Sequence, residues 1–172
     1  MYSLMGAGLH GENGLDPESA LVLFRTYILP ILTYGLEIVL PFGNKLESIQ
    51  MQYKRWIKQI LSLNINTADP AIFILSGLLP LEAEIHIKAF TLFGSITRAD
   101  KDSVEWQLAE RQLQIKNYSS NSWFIEIKKL SVKYGFNDIY QYLHNPLSKN
   151  KWKSIVLKKI HTYWKNNILE TT

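Results

Sequence analysis

Six lysines crowd the C-terminal stretch: Lys149, Lys151, Lys153, Lys158, Lys159 and Lys165. They surround Trp152, Tyr163 and Trp164, and no acid lies in that span. Ammonium groups that contact phosphates release condensed counterions, and aromatic rings can stack on bases. The interleaving therefore suits a surface that tracks a nucleic-acid backbone. It equally suits an amphipathic helix with a solvated lysine face and a buried aromatic stripe. Lys54, Arg55 and Lys58 form a smaller basic group open to the same two readings.

Other chemistry is sparse. The string GAGLHG, Gly6 to Gly11, matches G-x-G-x-x-G. A dinucleotide site needs a strand before that motif and a helix N-terminus directly after it. Here only five residues precede it and the turn-forming GENGLD follows, so a flexible connector is expected. The histidines, His10, His86, His144 and His161, are scattered, with no metal-ligand or catalytic spacing among them. Glu82 and Glu84 flank a predicted helix start, where acids complement the helix dipole. Two-metal phosphoryl transfer needs closely placed aspartates. The five aspartates, Asp16, Asp69, Asp100, Asp102 and Asp138, are dispersed, and four fall in predicted caps or loops. No catalytic residue, metal site or cofactor is expected.

Composition bounds the rest. The chain has 172 residues, 47% hydrophobic and 12% aromatic, so it is composed to fold. The net charge of +4 is mild for a nucleic-acid binder. Its distribution is uneven: residues 144–172 carry six lysines against Glu170 alone. The absence of cysteine excludes a disulfide framework and a Cys-based zinc site. The N-terminus lacks the basic-then-apolar pattern of a secretory signal. Arg25 and Glu37 argue against a membrane span over Leu21 to Leu40. An intracellular protein, nuclear or cytoplasmic, is expected.

The elements that would position these residues read as helices. Asp16 and Pro17 open the first, as cap and first-turn proline. Ala20, Phe24, Tyr27, Ile31, Tyr34 and Ile38 then recur at helical spacing. Pro30, inside this run, should kink it. Asn44 with Glu47 suggests a capping box for the second helix, with Leu46, Ile49, Tyr53, Trp56 and Ile60 inward. Asp69 and Pro70 open a short helix that Gly77 closes. Pro80 opens another, and the charged RADKD ends it. Asp102, Asn137 and Ser148 are expected caps further on. Trp123 to Tyr134 alternates briefly like a strand, but its longer match is helical, and Gly135 is expected to stop that helix. The expected fold is all-α, an irregular helical bundle of about six to eight helices with a long proline-kinked first helix. Three regions are expected: a Gly-rich connector at 1–15, a helical subdomain at 16–98 and a C-terminal helical subdomain at 99–172.

Four blocks carry a family likeness: SLMGAGLHGENGLDPE, YILPILTYGLEI, GLLPLEAEIHIKAFTLFGSI and SSNSW. From about Tyr2 to about Asn121, the chain resembles the region just downstream of the catalytic palm in non-LTR retrotransposon (LINE-type) reverse transcriptases. The resemblance implies that the 16–98 subdomain is thumb-like, a helical unit that holds the template–primer duplex. It implies contact with nucleic-acid backbone without sequence preference, and a polymerase core as natural partner. It implies no activity in this fragment, because the palm and its aspartates are absent, and it suggests that Met1 lies inside a truncated element. Tyr27, Pro30, Tyr34, Gly35 and Glu37 match the family block as packing and kinking residues. The alternative is a structural or protein-interaction helical domain. An independent enzyme is the weakest reading, since no catalytic constellation is present.

Overall fold

A computed structural model describes residues 14–170, in which nine helices and no strand occur. The fold is all-α as expected. The G-x-G-x-x-G string, His10 and all but the end of the expected connector lie outside the described residues.

Helix α1 is a continuous run of three segments: α-helical Pro17–Leu23, π-helical Phe24–Ile28 and α-helical Leu29–Leu32. Asp16 caps it as expected, accepting a hydrogen bond from the Ser19 N–H at 2.9 Å. The break from regular α-geometry lies just before Pro30. Proline has no N–H to give the Thr26 carbonyl, and its ring crowds that turn. Widening the turn relieves the crowding, and the Leu29 N–H reaches back five residues to the Phe24 carbonyl. The extra residue rotates everything downstream by about 100°. Phe24, Leu29 and Thr33 are therefore the buried positions. The expected stripe through Tyr27, Ile31 and Tyr34 faces outward, at 62%, 74% and 86% exposure.

Gly35, at φ 74°, turns the chain into the one-turn helix α2, Leu36–Val39. Helix α3 spans Asn44–Ile60 and α4 spans Asp69–Ser76. Helix α5 spans Leu81–Thr97, α6 Val104–Ile115 and α7 Trp123–Lys133. Helix α8 spans Ile139–His144 and α9 Lys149–Glu170. Gly77 and Gly135 take positive φ just beyond α4 and α7, the C-terminal stops expected of them. Three expected caps shift by one residue. Gly43, not Asn44, precedes α3, and no side chain caps that end. Ser103, not Asp102, accepts from the Trp106 N–H, and Asp138, not Asn137, accepts from the Tyr140 N–H. In each case the neighbour with extended or non-helical backbone occupies the N-cap position.

Two compact units form. The first comprises residues 14–34, 41–82 and 168–170; the second comprises 35–40 and 83–167. The expected division at 98/99 differs from this one, because most of α5 packs with helices that follow the RADKD connection. In the first unit Phe24 packs against Tyr53 at 5.8 Å and edge-on to Trp56 at 6.3 Å. The Tyr53 hydroxyl is buried and donates to the Leu79 carbonyl at 2.9 Å. Full burial of an aromatic of this size contributes about 1.5–3 kcal/mol relative to exposure.

In the second unit an aromatic cluster forms the core. Phe90 stacks on Phe136 at 4.7 Å, and both lie within 6.4 Å of the Trp152 ring. The Trp152 indole donates to the Phe90 carbonyl at 2.7 Å. Gly94 makes room for it: a Cβ there would sit 2.2 Å from Trp152 Cδ1 and Nε1. The Trp123 indole donates to the Glu37 carbonyl at 2.8 Å, tying α2 to α7. No single helix among the described residues is long and apolar enough to cross a membrane.

Candidate nucleic-acid interface

Helix α9 sorts its lysines by helical geometry. Trp152, Val156 and Ile160, four apart, are buried. Lys151, Lys158 and Lys165 lie seven apart, a spacing that returns to within about 20° of the same side, with a rise of about 10.5 Å per step. They form one exposed stripe. Lys153 is exposed but lies about 200° round the helix from Lys151. Lys149 is exposed in the first turn. Among the described residues none of these five lysines joins an ion pair.

Lys159 has a different role. Its ammonium donates to the Gly135 carbonyl just beyond α7 and lies 5.4 Å from the centre of the Phe136 ring. It ties α9 to the turn that follows α7, near the negative end of that helix's dipole. The α3 group is similarly occupied. Lys54 pairs with Asp69 at 2.6 Å, and Lys58 donates to the Ile65 carbonyl at 2.5 Å. Both tie down the loop between α3 and α4, while Arg55 stays exposed. The expected basic set thus divides into an open stripe on α9 and residues already used for structure.

The aromatic half of the expectation changes too. Trp152 is buried in the core and cannot stack on a base. Tyr163 and Trp164 are half-buried. With Tyr134 they surround the Lys133 ammonium, which lies 5.5, 5.5 and 5.2 Å from the Tyr134, Tyr163 and Trp164 ring centres. Such contacts attract a cation through the ring quadrupole. The Trp164 N–H donates to the Tyr134 hydroxyl at 3.1 Å. That hydroxyl lies 2.6 Å from Nδ1 of buried His86. Burial, assisted by the charge of Lys133, pushes the His86 pKa down to about 3. His86 is then neutral at pH 7 and shares a hydrogen bond with the Tyr134 hydroxyl through Nδ1.

Beside this cluster lies an open cleft of about 710 Å³. One wall is α9, through Ile155, Lys158, Thr162 and Tyr163; Asn137 and Tyr142 contribute from the other side. Among the described residues lining it none is acidic. The α9 wall has helical spacing and is legible in the sequence. Tyr142 and Asn137 carry no local signal, because only the packing of α8 against its neighbours brings them there.

The remaining chemistry-bearing residues stay apart. No group of three or more His, Asp or Glu residues able to hold a metal ion occurs among the described residues. His144 Nε2 lies 3.7 Å from Glu110, and its ring meets Trp106 and Tyr140 edge-on. His161 is exposed. No family model, curated protein or solved structure matches this chain.

Proposed function

We propose that this chain is a non-catalytic helical module that contacts nucleic-acid backbone without sequence preference. In this reading it is a thumb-region fragment of the non-LTR retrotransposon reverse transcriptases it resembles, acting inside the cell beside a polymerase core. The observation that carries the nucleic-acid reading is the exposed stripe of Lys151, Lys158 and Lys165 on α9, clear of any ion pair among the described residues. Lysine ammonium groups recognise phosphate as point charges, and a stripe of them reads charge rather than base sequence. Titrating duplex RNA and duplex DNA binding against salt tests the proposal. Binding at low salt that falls steeply and equally across unrelated sequences is the expected result. No binding at low salt would sink it.

A second reading is favoured by the outward face of α1. Tyr27 and Ile31 on α1 and Tyr34 in the turn just after it are largely exposed, all within the first unit. Large apolar side chains gathered on a surface mark protein contacts in many domains. This reading makes the chain a protein-interaction module, and it gains weight if the salt titration finds no binding.

A further inference from the structure

The cleft beside α9 has a composition that a duplex-tracking surface does not need. Phosphate contact requires cations alone, yet Tyr142 and Tyr163 line this cleft together with Lys158. Both tyrosines are half-buried. Each is braced from within the fold: Tyr142 meets Trp152 at 5.1 Å, and Tyr163 meets Tyr134 at 5.0 Å, edge to face. Bracing fixes the rings before a ligand arrives, which removes an ordering cost from binding. Asn137 and Thr162 add neutral hydrogen-bonding groups that suit any base edge. A volume of about 710 Å³ lies within the usual range for small-ligand clefts and has room for a nucleotide.

The cleft also opens onto the lysine stripe, because Lys158 belongs to both. A phosphate track beside fixed aromatic rings is the arrangement that holds single strands. A duplex keeps its bases stacked and paired, so it can meet the stripe but not the rings. We propose that this cleft holds one unstacked nucleotide of a single strand, its base against Tyr142 and Tyr163 and its phosphate on Lys158. The inference rests on the nucleic-acid reading above and adds a preference for single strands to it.

The test uses the intact chain with labelled oligo(dT) and with the duplex that it forms with oligo(dA), both followed by fluorescence anisotropy. Charge density alone favours the duplex, so tighter binding of oligo(dT) requires the rings. The expected preference is at least about fivefold, the low end of what one base–aromatic stack supplies. Tyr142→Ala should remove that preference by weakening oligo(dT) binding and leaving duplex binding unchanged, while Tyr142→Phe should retain it. Equal or tighter duplex binding by the unmodified chain overturns the inference, as does a Tyr142→Ala effect equal on both probes. If Tyr142→Ala loses its helical circular dichroism, the affinity ratio of the unmodified chain decides alone. Duplex binding without single-strand preference defeats only this inference. Failure to bind either probe defeats the proposed function as well.

Discussion

His86 and Gly94 show how single residues set the second unit's stability. The His86 imidazole titrates near pH 6.5 when unfolded and about 3 in the fold, because burial excludes its charged form. Between these values the unfolded chain binds the additional proton. The contribution of neutral His86 is therefore full above about pH 6.5, falls as pH drops and levels off below about 3. Its slope approaches about 1.4 kcal/mol per pH unit. His86→Gln keeps a neutral hydrogen-bonding group, donor or acceptor, for the Tyr134 hydroxyl and removes the titration. Urea unfolding between about pH 5 and 7 should then show a flatter stability profile than the unmodified chain; an unchanged profile would mean that His86 does not carry the dependence. Gly94→Ala tests packing. Alanine gains up to about 1 kcal/mol in helix propensity. Its methyl group, however, would overlap an indole held by a 2.7 Å hydrogen bond in a filled core. Overpacking of this kind costs about 1–3 kcal/mol. A net fall in the denaturation midpoint is expected, and an equal or higher midpoint would show that Trp152 can move.

At the scale of the element, α1 and α9 depend on register in opposite ways. In α1 one inserted residue at Phe24–Ile28 moves the apolar stripe out of the core. Pro30→Ala restores an N–H for the Thr26 carbonyl and removes the ring that crowds that turn. Helical circular dichroism should rise, since proline costs about 3 kcal/mol in a helix interior. Unchanged helicity would mean that packing around Phe24 and Leu29, not proline, maintains the π-turn. In α9 the register is regular, so position alone sorts the lysines. Changing Lys151, Lys158 and Lys165 together to glutamine should flatten the salt dependence of duplex binding by up to about three units. Lys153→Gln, on another side of the helix, should change it less. Equal effects from Lys153 alone and from the triple variant would show a diffuse charge effect rather than a stripe.

At the scale of the whole molecule, the open lysine stripe and the outward apolar face of α1 occupy different elements. The lysine stripe runs along α9, and the uncovered apolar side chains of α1 lie on a stretch with little charge. Ile31 and Tyr34 are so exposed that Ile31→Lys and Tyr34→Ser should each alter stability by no more than about 0.5 kcal/mol. Chemical denaturation checks this. A loss several times larger would mean that the face is covered in the folded protein.

Sequence alone determined the helical class. Apolar periodicity marks the segments that become helices, and the Asp16 cap and the Gly77 and Gly135 stops appear where expected. It also placed the densest lysine cluster on one helix. What sequence could not resolve was which spacing would face inward once Pro30 had forced a wider turn, since a 3.6-residue period assumes that no residue is inserted. Nor could it separate lysines that secure loops and helix ends from lysines left to solvent. Lys54 and Asp69 are fifteen residues apart, and Lys159 and Gly135 twenty-four. Pairings across such separations depend on the angles at which helices pack. The cleft followed from the same cause: Tyr142 and Tyr163 share it because α8 and α9 meet in space, a relation that no local pattern encodes.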